Sequence, residues 1–265
     1  MGDLSLRHDD VNEQIRLCQL KDGLTFGTDA YLLAAYVKGK AKARAVDLGS
    51  GTGIIPLLCL AKNKAAGFAA SEIQPIFCQL IERNAAENGM GDRLTLRAGD
   101  LRALTASSLG YEADIVTANP PYMAPSSGAR NTSDEKYLAR HEVNGTIVDF
   151  CAAAGRLLKH GGHFYCVFRP ERLADLLEAM RRAHLEPKRM TLVQATAMAR
   201  PSMALVDAVK GGAGGLLVTP PLCLWVADAA DPTKPDARML PSAVASYIYE
   251  HCAFPDIYLN TNKRG

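Results

Sequence analysis

The chain has 265 residues, 48% of them hydrophobic and 22% charged, and its 30 Lys and Arg against 28 Asp and Glu leave a net charge of +2. That length suits one medium domain with appendages, whose core needs neither disulfides nor metal. No apolar run approaches eighteen residues, which excludes a membrane-spanning helix, and the polar first ten residues lack the apolar segment of a secretion signal.

Seven cysteines lie scattered among apolar neighbours without a C-x-x-C pair, as expected of core residues in a reducing cytosol. The faintly basic balance neither demands nor excludes nucleic acid, and clusters such as Lys38, Lys40, Lys42 and Arg44 read as solvated surface. In chain order, residues 17–26 suggest a short hairpin turning at Asp22-Gly23. Thr28 is placed as the N-cap of a buried helix that ends near Gly39.

From residue 44 the pattern becomes regular. A short apolar strand ends at Asp47, Gly49-Ser50-Gly51-Thr52-Gly53 makes a tight loop, and an apolar helix runs from Ile54 to about Lys62. A second strand ends at Glu72. The helix after it turns Ile76, Phe77, Leu80, Ile81 and Ala85 inward and stops at Asn88-Gly89. A third strand, residues 94–97, leads to Gly99-Asp100, and a fourth ends at Asn119-Pro120-Pro121-Tyr122. Two prolines in a row cannot extend a ladder, and they stiffen the backbone around Asn119. A long polar loop to about residue 144 precedes a helix that puts Ile147, Val148, Phe150, Cys151, Ala154, Leu157 and Leu158 inward. Next come a strand over 163–168 and a helix over 171–183. Residues 189–193 and 203–209 have no helix between them and read as an antiparallel pair, while 216–226 supplies an extra strand or edge. Residues 229–265, rich in Pro and Asp, read as a tail laid on the surface.

This alternation predicts an α/β fold with an open, mostly parallel sheet of seven strands, the last of them antiparallel. Such sheets bind ligands beyond the C-terminal ends of their strands. Asp47, Glu72, Asp100 and Asn119 all fall at such ends and so share one rim. No G-K-[ST] follows the glycine loop, which rules out a P-loop, and position 145 is Gly, which rules out H-E-x-x-H zinc chemistry at His141-Glu142. A pyrophosphate at a helix N-terminus wants no nearby anion, yet Asp47 and Asp100 flank this loop. That balance favours a ligand with a cation and hydroxyls, such as S-adenosylmethionine, with Glu72 offset to accept from ribose hydroxyls. A nicotinamide dinucleotide stays open at this point, because it too uses an acidic residue about twenty positions on.

Asp47-Leu48-Gly49-Ser50-Gly51-Thr52-Gly53, Glu72, Gly99-Asp100 and Asn119-Pro120-Pro121-Tyr122, in this order, resemble a Rossmann-like class I methyltransferase of the amino-methylating N-P-P-Y group. Four further stretches narrow the resemblance: Phe26-Gly27-Thr28-Asp29-Ala30, Arg140-His141-Glu142, Phe168-Arg169-Pro170-Glu171-Arg172 and Val209-Lys210-Gly211-Gly212. Together they resemble the bacterial tRNA adenine N6-methyltransferases, which modify adenine 37 of a valine tRNA. The likeness runs from about residue 10 to 228. It implies an N-terminal extension over 1–43 covering the cofactor site, a methyltransferase domain over 44–228, and a C-terminal tail. It also implies that Gly49, Gly51 and Gly53 let backbone approach S-adenosylmethionine, that Glu72 holds the ribose and Asp100 the adenine amino group, and that Thr28 and Asp29 close over the methionine part. Asp47 and Asn119 complete the implied cofactor contacts. Tyr122, Arg140 and His141 are the implied contacts to tRNA, with no metal, no membrane and a monomer expected.

The residues suit that chemistry. An exocyclic adenine amine is a poor nucleophile, because its lone pair is delocalised into the ring. Asn119 Oδ1 and the Pro120 carbonyl can each accept one of its N–H groups and stabilise the positive charge that develops, while Tyr122 offers a stacking face. Three alternatives remain: the same chemistry on a protein glutamine, DNA adenine methylation, and an RNA-binding module without turnover. A glutamine methyltransferase carries a longer helical domain before its glycine loop than the forty-odd residues here. A DNA enzyme needs a recognition domain for which no room remains.

Overall fold

The computed structural model describes residues 5–21, 27–121, 145–227 and 239–259. The chain opens with an antiparallel hairpin, β1 (Leu6–Asn12) and β2 (Ile15–Leu20), followed by helix α1 (Thr28–Tyr36). The alternating core then runs β3 (Arg44–Leu48), α2 (Ile54–Ala61), β4 (Gly67–Glu72), α3 (Pro75–Glu87), β5 (Leu94–Ala98), the short α4 (Ala106–Leu109) and β6 (Ala113–Ala118). Helix α5 (Ile147–Leu157), β7 (Leu158–Phe168), α6 (Leu173–Arg182), β8 (Leu185–Gln194) and β9 (Pro201–Lys210) complete it. Short strands β10 (Leu217–Val218), β11 (Leu222–Cys223), β12 (Trp225–Ala227) and β13 (Met239–Pro241) follow, and helices α7 (Ala243–His251) and α8 (Asp256–Leu259) come last.

The sheet order is β5-β4-β3-β6-β7-β9-β8-β10, with β11 also on β8. Strands β5, β4, β3, β6 and β7 are parallel, and β9 runs antiparallel between β7 and β8. The sheet therefore has nine strands rather than the expected seven. The two extra ones lie on either side of Pro220-Pro221 and pair in parallel with β8. Prolines without an N–H split what would otherwise be one edge strand into two short ones.

Side chains alternate between two apolar layers. Ala45 on β3 and Tyr165 and Val167 on β7 face a layer built with α1, α2 and α3. Val46 and Leu48 on β3, with Phe164, Cys166 and Phe168 on β7, face α5 and α6. Among the described residues, helices thus pack on both faces of the sheet. Among the described residues no helix is long and apolar enough to cross a membrane.

Three local expectations need correction, and a fourth is untested. A hairpin turns at Glu13 and Gln14, and the turn expected at Asp22-Gly23 lies outside the described residues. The N-cap of α1 is Gly27, with Thr28 already helical. Val148 is 51% exposed, because the buried stripe of α5 runs through Ile147, Phe150, Cys151, Ala154 and Leu157 and leaves it on the flank. The segment read as a surface tail inserts Ala245, Ile248, Cys252, Phe254 and Tyr258 among buried residues.

Candidate active site

The rim is assembled by register. Leu48 pairs with Ser71 on one side and with Ala118 on the other, and Glu72 pairs with Ala98. The parallel strands therefore end level, and the residues after them form one edge in the order Asp100, Glu72, the glycine loop and Asn119. Three strand spacings separate the first from the last, roughly 15 Å.

The loop after β3 takes the left-handed conformation at all three of its glycines, with φ of 65°, 56° and 81° at Gly49, Gly51 and Gly53. Only glycine adopts this freely. A Cβ on Gly51 would meet nothing within 4 Å, whereas one on Gly49 would sit 3.3 Å from the Phe150 ring. The rim side of Gly51 is therefore open and its backbone accessible.

Asp47 lies beneath this loop, 1% exposed. Ser50 Oγ donates to one carboxylate oxygen and Thr117 Oγ1 to the other, each at 2.5 Å. Burial pushes its pKa up to about 7 against those two bonds, and the nearby Glu72 pushes the same way. Glu72 is also buried, and its carboxylate is anchored by backbone. Oε2 accepts from Gly51 N–H at 2.9 Å, and Oε1 accepts from the N–H groups of Ile73 and Gln74 at 2.9 Å each. The Glu72 carbonyl accepts from Gly99 N–H at 2.8 Å, which fixes the turn that carries Asp100.

Asp100 is engaged locally. Its carboxylate accepts from the backbone and guanidinium of Arg102, and that side-chain bond holds its pKa below the ordinary carboxylate value. At the other end of the rim, Asn119 Nδ2 donates to Asp29 Oδ2 at 3.1 Å, joining residues ninety positions apart. Thr28 beside it is exposed. Tyr122, Arg140 and His141 lie outside the described residues.

Sequence reasoning missed the hydroxyls of Ser50 and Thr117 and the role of Asn84. Asn84 is buried on α3 and bridges β2 to the glycine loop: its Oδ1 accepts from Cys18 N–H at 2.7 Å, and its Nδ2 donates to the carbonyls of Cys18 and Thr52 at 3.0 and 2.9 Å. A signal was present, since Asn84 falls three and four residues after Ile81 and Leu80 on an otherwise apolar face.

Residues 21–183 match the family described as methyltransferase small domain. The chain belongs to that family. The site fits its cofactor, S-adenosylmethionine: a left-handed glycine loop and the strand-end carboxylate of Glu72 beside it suit a cationic nucleoside. The protein is accordingly an S-adenosylmethionine-dependent methyltransferase. A Porphyromonas gingivalis (strain ATCC BAA-308 / W83) protein named tRNA1(Val) (adenine(37)-N6)-methyltransferase is 27% identical over 198 residues, covering 67% of this chain and 77% of its own. A Bacteroides fragilis (strain NCTC 9343) protein of the same name is 27% identical over 187 residues, covering 71% and 78%. Among solved structures, a predicted O-methyltransferase from Agrobacterium tumefaciens superposes with a TM-score of 0.66 at 20% identity, over 86% of this chain and 98% of that one. TYW2 of P. horikoshii, solved in complex with MeSAdo, gives 0.53 at 15% identity, over 80% and 74%. Both structures share the fold of this family member.

Proposed function

We propose that this methyltransferase methylates the exocyclic N6 of an adenine in tRNA, at position 37 of a valine tRNA, in the cytoplasm. The observation that carries the reading is Asn119: a half-buried amide at the end of a buried strand, next to the strand that opens the glycine loop, with Pro120 and Pro121 behind it. The names of the two bacterial relatives support the choice of tRNA and of adenine 37.

S-adenosylmethionine supplies the electrophilic methyl when bound. The glycine-loop backbone and Glu72 are the residues to hold it, with Asp47 bracing the loop from beneath through Ser50. Asn119 Oδ1 and the Pro120 carbonyl accept hydrogen bonds from the two N6–H groups, orient the amine, and stabilise positive charge on the nitrogen as its bond to carbon forms. The proton then leaves to water, since the methylated nitrogen is acidic until it does, and no strong base is needed. Tyr122 is assigned to stack on the base, and Arg140 and His141 to contact the RNA.

The test is transfer from labelled S-adenosylmethionine into bulk tRNA, followed by digestion to nucleosides. N6-methyladenosine is the expected product. Label entering protein but not tRNA would instead favour N5-glutamine methylation. Asn119→Ala should lower kcat on the order of 100-fold or more while cofactor affinity holds, as for removal of an aimed polar group.

A further inference from the structure

The residue that the resemblance assigns to the cofactor, Asp29, has a different partner in the structure. Its carboxylate is pinned at both oxygens: Oδ1 accepts from Ala30 N–H at 2.8 Å, and Oδ2 accepts from Asn119 Nδ2 at 3.1 Å. The first bond satisfies one of the unpaired N–H groups of the opening turn of α1, where an acidic side chain is also favoured by the helix dipole. The second has a chemical consequence. An ionised carboxylate only accepts hydrogen bonds, so it can face only the NH₂ arm of the Asn119 carboxamide. The acceptor Oδ1 must then lie on the opposite arm.

An asparagine that must accept from a substrate amine has to solve this problem. Its two arms are nearly equal in shape, and the flipped amide would present two N–H donors to an amine that is itself a donor. That orientation repels the substrate and removes the acceptor that stabilises the developing charge.

Gly27 supplies a second observation on the same carboxylate. A Cβ built there would lie 2.6 Å from Asp29 Oδ1. The backbone of Gly27 is ordinary extended chain, with φ of −106°, so the turn itself does not demand glycine. A methyl group there would instead press on the Asp29 carboxylate, which would have to turn from its present bonds to make room.

We infer that Asp29 is a positioning residue that fixes the flip state of Asn119, with Gly27 kept bare to let it do so. This rests on the reading of Asn119 as the acceptor of the substrate amine. Asp29 acts on the transfer step through Asn119 and not on cofactor affinity, which the resemblance alone would assign to it.

The experiment measures kcat on tRNA at saturating S-adenosylmethionine, and cofactor Kd by calorimetry, for a set of folded variants. Asp29→Ala and Gly27→Ala should each lower kcat roughly 10- to 100-fold, as expected when an aimed group loses its orientation, with Kd unchanged. Asn119→Asp should be worse, because it sets two carboxylates face to face. The swap Asp29→Asn with Asn119→Asp should recover at least about tenfold over Asn119→Asp alone, since the amide introduced on α1 then donates where Asn119 did and a carboxylate oxygen faces the substrate. Asp29→Ala that weakens cofactor binding about tenfold and leaves kcat intact would overturn the proposal and restore the cofactor role. A swap no better than the single Asn119→Asp variant would overturn it as well. Asn119→Ala at full kcat would instead remove the premise, a result distinct from failure of Asp29 alone.

Discussion

At the scale of single residues, two carboxylates at and beneath the rim have opposite fates. Glu72 is bound by three backbone N–H groups, while Asp47 receives only two hydroxyl bonds at full burial and its pKa is pushed up to about 7. The folded chain therefore keeps a proton on Asp47 that the unfolded chain gives up near pH 4. Between those two values the folded state binds more protons, so the stability associated with Asp47 is present at low pH and is lost as pH rises toward 7. The loss approaches about 4 kcal/mol at higher pH. Asp47→Asn should flatten this slope: in urea unfolding at about pH 5 and pH 8, the wild type should lose stability between the two and the variant much less. Equal slopes would mean that the carboxylate is not strained by burial. The strand ends that hold these groups were legible in the sequence, because glycine loops and terminal acids are local signals. Asp29's partner was not, since it is ninety residues away and no local pattern encodes it.

At the scale of elements, the N-terminal hairpin shows how an edge strand is finished without another strand. The backbone N–H and C=O of Cys18 on β2 are both satisfied by the one carboxamide of Asn84, which also holds Thr52 in the glycine loop. Asn84→Ala would leave three buried backbone groups without partners, at a cost of about 3 kcal/mol or more, which corresponds to a fall in Tm of roughly 6–12 °C. Because Thr52 is in the loop, cofactor affinity should fall with it; a calorimetric titration showing unchanged affinity would confine Asn84 to the hairpin. The β1–β2 hairpin carries no local sequence signal, for a chemical reason. Its turn lacks the Asp-Gly or Asn-Gly dipeptide that marks such turns. Instead the side chain of Asn12 accepts from the N–H groups of Gln14 and Ile15, both at 2.9 Å, an Asx-type turn that spacing alone does not reveal. Strands β3 to β6 were legible to within a residue or so at most of their ends because their apolar runs stop at glycine, proline or acid.

At the scale of the whole molecule, the C-terminal segment closes the structure. Arg189 on β8 is 2% exposed, donates to the carbonyls of Tyr36 and Tyr258 at 3.0 Å each, and lies 3.8 Å over the Tyr36 ring. Asp207 balances its charge at 3.5 Å and also bonds His163 at 2.8 Å. One guanidinium thus ties α1, the sheet and α8 together. Phe254 packs edge-on against both Tyr36 and Tyr258, and Tyr31 Oη donates to the Tyr249 carbonyl. Composition pointed the other way, because Pro and Asp dominate the approach to this segment while its few apolar residues find partners more than two hundred positions back. The family match ends at residue 183, but the core does not. Arg189→Ala should cost about 3–5 kcal/mol, since it leaves Asp207 with only His163 and two buried carbonyls bare. Arg189→Lys should recover little, because an ammonium cannot span both carbonyls in the planar geometry of a guanidinium. A chain ended at residue 238 should be less stable still, as it removes the Tyr258 carbonyl together with Ile248, Phe254 and the apolar contacts around α1. Because α1 carries Asp29, the truncated protein should also lose kcat well below its own melting temperature. Wild-type turnover in that truncation would show that α1 keeps its place without the C-terminal helices.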